Sequence, residues 1–338
     1  MTKIDIFSGF LGAGKTTLIK KLIHEAFAGQ QIVLIENEFG EIGIDGDFLQ
    51  EAGIQINELN SGCICCSLVG DFREALKKVV EQYHPDRVLI EPSGVGKLSD
   101  VTRAVEAVAG DLPLELNSFV TVADAGKVKM YMKNFGEFYD DQISHASCII
   151  LSRTQAISEE KAAKAVALIK EKNPDATIIT TPWDDLTGAQ IVTAMESRND
   201  FVAELRKLAE EANAHAHEDE HEHHHHHEHG EDCTCGCHDH EHHHHHHADE
   251  VFGSWGQETP RSYAKADLQH ILTELDSGKY GKILRAKGIV NSTDGAWLEF
   301  DYVPEEFEVR AGHPDYTGRL CVIGAELDEQ KLTELFGL

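Results

Sequence analysis

The chain has 338 residues, 41% of them hydrophobic, which is enough for a large domain with its own core plus a smaller one. A formal charge of −29 excludes the clustered cationic surface on which nucleic-acid binding rests. No apolar run reaches the roughly 18–20 residues of a membrane span, and a strand pattern starts within a few residues of Met1, so a cytoplasmic protein with no membrane partner is expected.

In chain order, the first predicted strand, residues 3–8, runs directly into Gly9-Phe10-Leu11-Gly12-Ala13-Gly14-Lys15-Thr16, and a helical pattern follows over 15–28. Two glycines five apart, then Lys and Thr, between a strand and a helix, specify a phosphate-binding loop. Successive backbone N–H groups would cradle phosphates at the helix N-terminus. Lys15 would supply charge to the β- and γ-phosphates, and the Thr16 hydroxyl would ligate Mg²⁺.

A second strand, 31–36, ends at Glu36 and opens the acidic segment Glu36-Asn37-Glu38-Phe39-Gly40-Glu41. Its carboxylates either join a metal site or form a solvated loop; spacing alone leaves both readings open. Next comes Gly62-Cys63-Ile64-Cys65-Cys66, with Cys63 and Cys65 on one side of an extended backbone. Three thiols within four residues suit a soft or borderline cation such as Zn²⁺, against the alternative of small buried apolar side chains.

A helix over 69–82 precedes strand 87–91, which ends in Glu91 with Gly94 three residues later. Phosphoryl transfer needs an acidic residue near Mg²⁺ and a γ-phosphate sensor; Glu91 and the Gly94 amide are candidates for those roles beside the upstream glycine loop, against the alternative of a carboxylate that merely caps a loop. Strands at 118–123, 148–152 and 178–181 then alternate with helices at 101–108 and 159–172. This pattern predicts an α/β domain over residues 1–200, its mostly parallel sheet covered by helices on both faces.

A helical run over 201–212 leads into a stretch with no apolar core. Residues 215–247 hold 17 of the 22 histidines, nine acidic residues, Cys233, Cys235 and Cys237, and no Lys or Arg. The histidine runs, 221–229 and 238–247, flank those cysteines, so residues 221–247 read as a flexible collector of Zn, Co, Ni or Cu ions inside an insert spanning 201–258. A solubilising linker would explain the carboxylates but not the histidines. Residues 259–338 then predict a small α+β domain: helices at 268–275 and 329–336, strands at 288–291, 296–302 and 319–324.

The segments GFLGAGKTT, ENEFGEIGID, GCICC and LIEPSG, in that order, resemble the CobW-type family of P-loop GTPases, which includes zinc-regulated metallochaperones. The late segments GKILRAKG and Cys321-Val322-Ile323-Gly324 are similar to that family's C-terminal domain. The resemblance implies GTP hydrolysis coupled to binding a transition metal and delivering it to a client metalloprotein; with no arginine finger identifiable in the sequence, slow intrinsic turnover is expected. It implies nucleotide contacts at Gly9, Gly12, Ala13, Gly14, Lys15, Thr16 and Thr17, and a catalytic Glu91. Metal ligands would fall on Glu36, Glu41 and Cys65, with Cys63 and Cys66 as neighbours.

One departure stands out. Where the family carries Asn-Lys-x-Asp to read guanine, this chain has Ser152-Arg153-Thr154-Gln155. Arg153 still offers a planar cation against the base, but neutral Gln155 forfeits the charge-assisted pair, so relaxed guanine selectivity is expected. The rival readings are a metal store with a vestigial nucleotide site, and a thiol-based redox sensor.

Overall fold

The computed structural model describes residues 1–36, 55–58, 69–109, 112–196 and 253–338. The chain divides into two compact units, the first comprising Met1–Asn199 with Pro260–Ser262 and His313–Gly318.

Seven parallel strands build the first unit: β1 (Thr2–Ser8), β2 (Ile32–Glu36), β3 (Gln55–Glu58), β4 (Arg87–Glu91), β5 (Leu114–Asp124), β6 (Cys148–Ser152) and β7 (Thr177–Ile179), in the order β3-β2-β4-β1-β5-β6-β7. Side chains alternate between two apolar layers, as the two-residue strand period demands. Ile4 and Ile6, Val88 and Ile90, and Ile149 and Leu151 face one layer; Phe7, Leu89, Cys148 and Ile150 face the other. Burial on both sides is why these strands read as continuous apolar runs.

The first layer is closed by α2 (Val69–Tyr83), α3 (Leu98–Ala109), α4 (Val128–Ser144) and α5 (Glu159–Lys172); the second by α1 (Lys15–Glu25) and α6 (Gly188–Glu196). Strand order reverses at β1, which lies between β4 and β5. A crevice opens outside the carboxyl ends of the strands at such a switch point, and the glycine-rich loop leaves β1 there.

The second unit holds a sheet in the order β12-β11-β10-β13-β8, with β9 paired to β10. Its elements are β8 (Gly253–Thr259), β9 (Ser262–Tyr263), α7 (Lys265–Glu274), β10 (Lys282–Ser292), β11 (Trp297–Val303), β12 (Glu306–Gly312), β13 (Gly318–Ala325) and α8 (Glu329–Phe336). Strand β10 runs antiparallel to β11 and β13. Leu268, Leu272, Phe300, Val322 and Leu332 form its core, and the Trp255 and Phe336 rings stack at 5.4 Å. Strand β8 begins ahead of residue 259, where composition places the start of this domain: its single large apolar anchor, Trp255, gives little periodicity to read.

The predicted helix over 201–212 and the insert to residue 252 lie outside the described residues. Among the described residues, no helix is long and apolar enough to cross a membrane.

Candidate functional site

The loop between β1 and α1 is shaped by glycine. Gly9 has φ 141°, and a Cβ there would sit 2.3 Å from the Val122 carbonyl oxygen on β5, so any larger residue would push the loop off the sheet. Gly14, at φ 105°, caps α1, whose first turn holds no acidic residue. With no carboxylate in that turn to compete, the backbone N–H groups and positive dipole end of α1 favour an anion.

Lys15 and Thr16 start that helix and meet Glu91 at the end of β4. The Thr16 hydroxyl donates to both carboxylate oxygens of Glu91, at 3.1 and 3.2 Å. The buried Lys15 ammonium donates to the Gly9 carbonyl (3.1 Å) and lies 3.9 Å from Glu91. A cation, a hydroxyl and a carboxylate thus converge beside the glycine loop. Thr17, on the next position of α1, is exposed.

Register places Glu36 on β2 directly between Glu91 on β4 and Glu58 on β3, so three acidic residues end adjacent strands. After Glu91 the chain turns at Ser93, whose carbonyl accepts the Gly96 amide (2.9 Å). Gly94 lies against the loop: a Cβ on it would come within 2.8 Å of the Leu11 backbone nitrogen.

Arg153 follows β6 in the left-handed conformation (φ 58°), costly for a non-glycine residue and usually found where surroundings enforce it. Its guanidinium donates to Asp124 at the end of β5 (2.6 Å) and to the Gly12 carbonyl (2.9 Å). The Arg153 head is thus pinned on the glycine loop, where the sequence suggested stacking on a base. Gln155 is exposed. Trp183, past the end of β7, donates its indole N–H to the Leu151 carbonyl (3.1 Å), and its ring lies 3.2 Å from where a Gly14 Cβ would be.

On the first layer, burial and the neighbouring Asp124 carboxylate push the Tyr139 phenol of α4 well above its ordinary range. Its buried hydroxyl has no hydrogen-bond partner among the described residues.

The structure therefore brings Gly9, Gly12, Ala13, Gly14, Lys15, Thr16, Glu91, Gly94 and Arg153 to one end of the sheet. Glu41, Cys63, Cys65, Cys66, Cys233, Cys235, Cys237 and residues 221–247 lie outside the described residues. Among the described residues, no group of three or more His, Cys, Asp or Glu is poised around a metal ion. Sequence reasoning missed Asp124, Trp183 and Gln142 at this end of the sheet. For Asp124 and Trp183 the available signal was position alone, at the ends of β5 and β7.

Residues 3–180 match the model of the CobW/HypB/UreG nucleotide-binding domain, and residues 252–337 that of the cobalamin synthesis protein cobW C-terminal domain. The chain is 28% identical over 324 residues to "Zinc-regulated GTPase metalloprotein activator 1" of Schizosaccharomyces pombe, covering 90% of this chain and 76% of that one. It is 30% identical over 160 residues to "Zinc chaperone YeiR" of Escherichia coli, covering 47% and 49%, so it spans about half the length of that relative. The crystal structure of Zn(II)-bound YjiA GTPase from E. coli aligns with 19% identity over 99% of this chain and 98% of that one, at a TM-score of 0.41.

Proposed function

The chain belongs to the CobW/HypB/UreG family and carries the cobW-type C-terminal domain, and we propose that it is a GTPase whose turnover controls the binding and delivery of a transition metal, zinc first among the candidates. One observation carries the reading. Lys15, Thr16 and Glu91 meet within 4 Å at the glycine loop, on the switch point of a parallel sheet.

Each group has a definite task. Amides of the loop and the α1 N-terminus hold the phosphates, and Lys15 neutralises charge on the transferred group. The Thr16 hydroxyl and Glu91 carboxylate form an all-oxygen donor pair suited to a hard cation, so these two would hold Mg²⁺. Bound there, Mg²⁺ would neutralise phosphate charge. Gly94 offers its amide to the γ-phosphate, so the turn it occupies is the element that differs between triphosphate and diphosphate states.

Zinc is cargo in this scheme. Cys63, Cys65 and Cys66, with Glu36 and Glu41, would bind it, and the insert at 221–247 would concentrate it; thiolate chemistry leaves Co²⁺ and Ni²⁺ as competitors. Glu36 supplies the link, because it ends the strand next to Glu91.

The test is multiple-turnover phosphate release from GTP across buffered free zinc. Wild-type turnover changes with zinc, and Lys15→Ala abolishes it while the insert still binds metal. If zinc leaves turnover unchanged and a GTP analogue leaves zinc affinity unchanged, the coupling is refuted. A pure metal store, the reading the insert composition favours taken alone, would show that pattern.

A further inference from the structure

The turn after Glu91 is held from behind by α4. Gln142 on this helix is fully buried, and its side-chain amide donates to the carbonyls of Gly94 (3.2 Å) and Gly96 (2.8 Å). Both amide protons are spent on one three-residue turn. The next residue inward, Asp141, accepts from the Ser99 backbone N–H (3.0 Å) and hydroxyl (2.7 Å), fixing the start of α3. Two consecutive residues of α4 therefore hold residues 94–99 at both ends.

The helix is itself secured. The Gln142 backbone carbonyl accepts from the Thr121 hydroxyl on β5 at 2.6 Å. Toward its other end α4 meets the phosphate loop through rings: Phe10 lies 4.5 Å from Tyr131 and 4.8 Å from Phe135, where the helix departs from helical geometry (φ −134°, ψ 30°). The Gly94 turn is thus sandwiched between Leu11 of the loop and the Gln142 amide.

Two glycines in three residues leave this turn wide backbone freedom, and a sensor with that freedom would read the γ-phosphate poorly. Two hydrogen bonds from a fixed amide remove it. The Gln142 side-chain oxygen is buried with no partner among the described residues, which is unfavourable for an amide in an apolar setting. Leucine would fill the same space without that penalty, so packing does not account for the residue; the two donors do.

We propose that Gln142 is a positioning residue for the γ-phosphate response, holding the Gly94 turn where its amide distinguishes a nucleoside triphosphate from a diphosphate. The proposal rests on the GTPase reading above. Gln142 touches the turn, and acts on nucleotide through it.

The experiment compares GDP with a non-hydrolysable GTP analogue on the full chain. Gln142→Leu weakens analogue binding about tenfold and lowers kcat by a similar factor, while GDP affinity stays within about twofold. Thr121→Val removes the anchor of α4 but keeps the amide on the turn; it lowers Tm and leaves the analogue-to-GDP ratio unchanged. Equal weakening of both nucleotides by Gln142→Leu, or an unchanged ratio, overturns the proposal. Hydrogen exchange on the wild-type chain gives an answer even if Gln142→Leu fails to fold. Residues 93–99 gain protection with the analogue beyond that with GDP, and equal protection overturns the proposal. A wild-type chain that releases no phosphate from GTP overturns the GTPase reading as well, whereas a wild-type preference for the analogue that survives in Gln142→Leu overturns the role of Gln142 alone.

Discussion

Trp183 fixes the geometry between β6 and the phosphate loop by two contacts, one to the Leu151 carbonyl and one against Gly14. An indole there offers a stacking surface to any purine, while Gln155 offers no charge to guanine in particular. Trp183→Ala should therefore weaken GTP and ATP binding alike, by about tenfold, with Trp183→Phe recovering most of it. The chain's other two tryptophans, Trp255 and Trp297, belong to the second unit. A variant with both replaced by Phe should show tryptophan quenching on nucleotide addition, and an unquenched signal would contradict stacking. Gln155→Asp should raise the preference for GTP over ATP by roughly tenfold, measured by competition. At this scale the glycine loop and Gly94 were legible because their backbone task restricts which residue fits, and Glu91 because a carboxylate ends an apolar strand shortly before a glycine. Trp183 and Asp124 were not, because a single residue at or beyond the end of a strand carries no periodicity and meets its partners only in the folded chain.

Among the elements, α4 shows where sequence patterning fails. Its residues include Asn134, Gly136 and several aromatics, poor helix formers, and the helix bends at Phe135, so one apolar stripe does not run its length. Strands β1, β4 and β6 were legible for the opposite reason, since burial on both faces leaves an uninterrupted apolar run. Strand β1 also buries a charge, the fully buried Asp5, paired with Arg87 on β4 and accepting from Asn117 and Ser118. Arg87→Leu strands that carboxylate and should cost about 3–5 kcal/mol in urea unfolding. Asp5→Asn in the same chain keeps an acceptor for Ser118 without the charge and should restore a large part of the loss. Glu196 on α6 completes the network. Burial raises its pKa, but hydrogen bonds from Asn117, Arg87 and Lys3 outweigh burial and hold it below the ordinary 4.5. A depressed carboxylate stabilises the fold above its unfolded pKa and ceases to do so as pH falls through the folded value. Glu196→Gln should therefore flatten the acid limb of the stability curve below about pH 4.5 and leave its shape near neutrality unchanged.

For the molecule as a whole, the question is whether metal capture and nucleotide turnover are separable. Residues 215–247 contain 17 histidines and three cysteines but none of the groups that meet at the phosphate loop. Removing residues 213–250 should sharply lower the number of zinc ions bound per chain, while leaving GTP turnover at fixed free zinc within about twofold, because a collector sets supply and a catalytic site sets rate. Acidity separates the two classes of ligand further. Imidazoles bind metal only when neutral, and their ordinary pKa is about 6.5, so lowering pH from about 7.5 to about 5.5 should strip the insert's share of the zinc. Wild-type chain would then lose more zinc over that interval than the deletion variant does, read by metal analysis after dialysis. Equal losses would mean that the histidines hold little metal at neutral pH. Turnover that collapsed on deletion even at fixed free zinc would mean that the insert takes part in the GTPase cycle, and the modular division would be wrong.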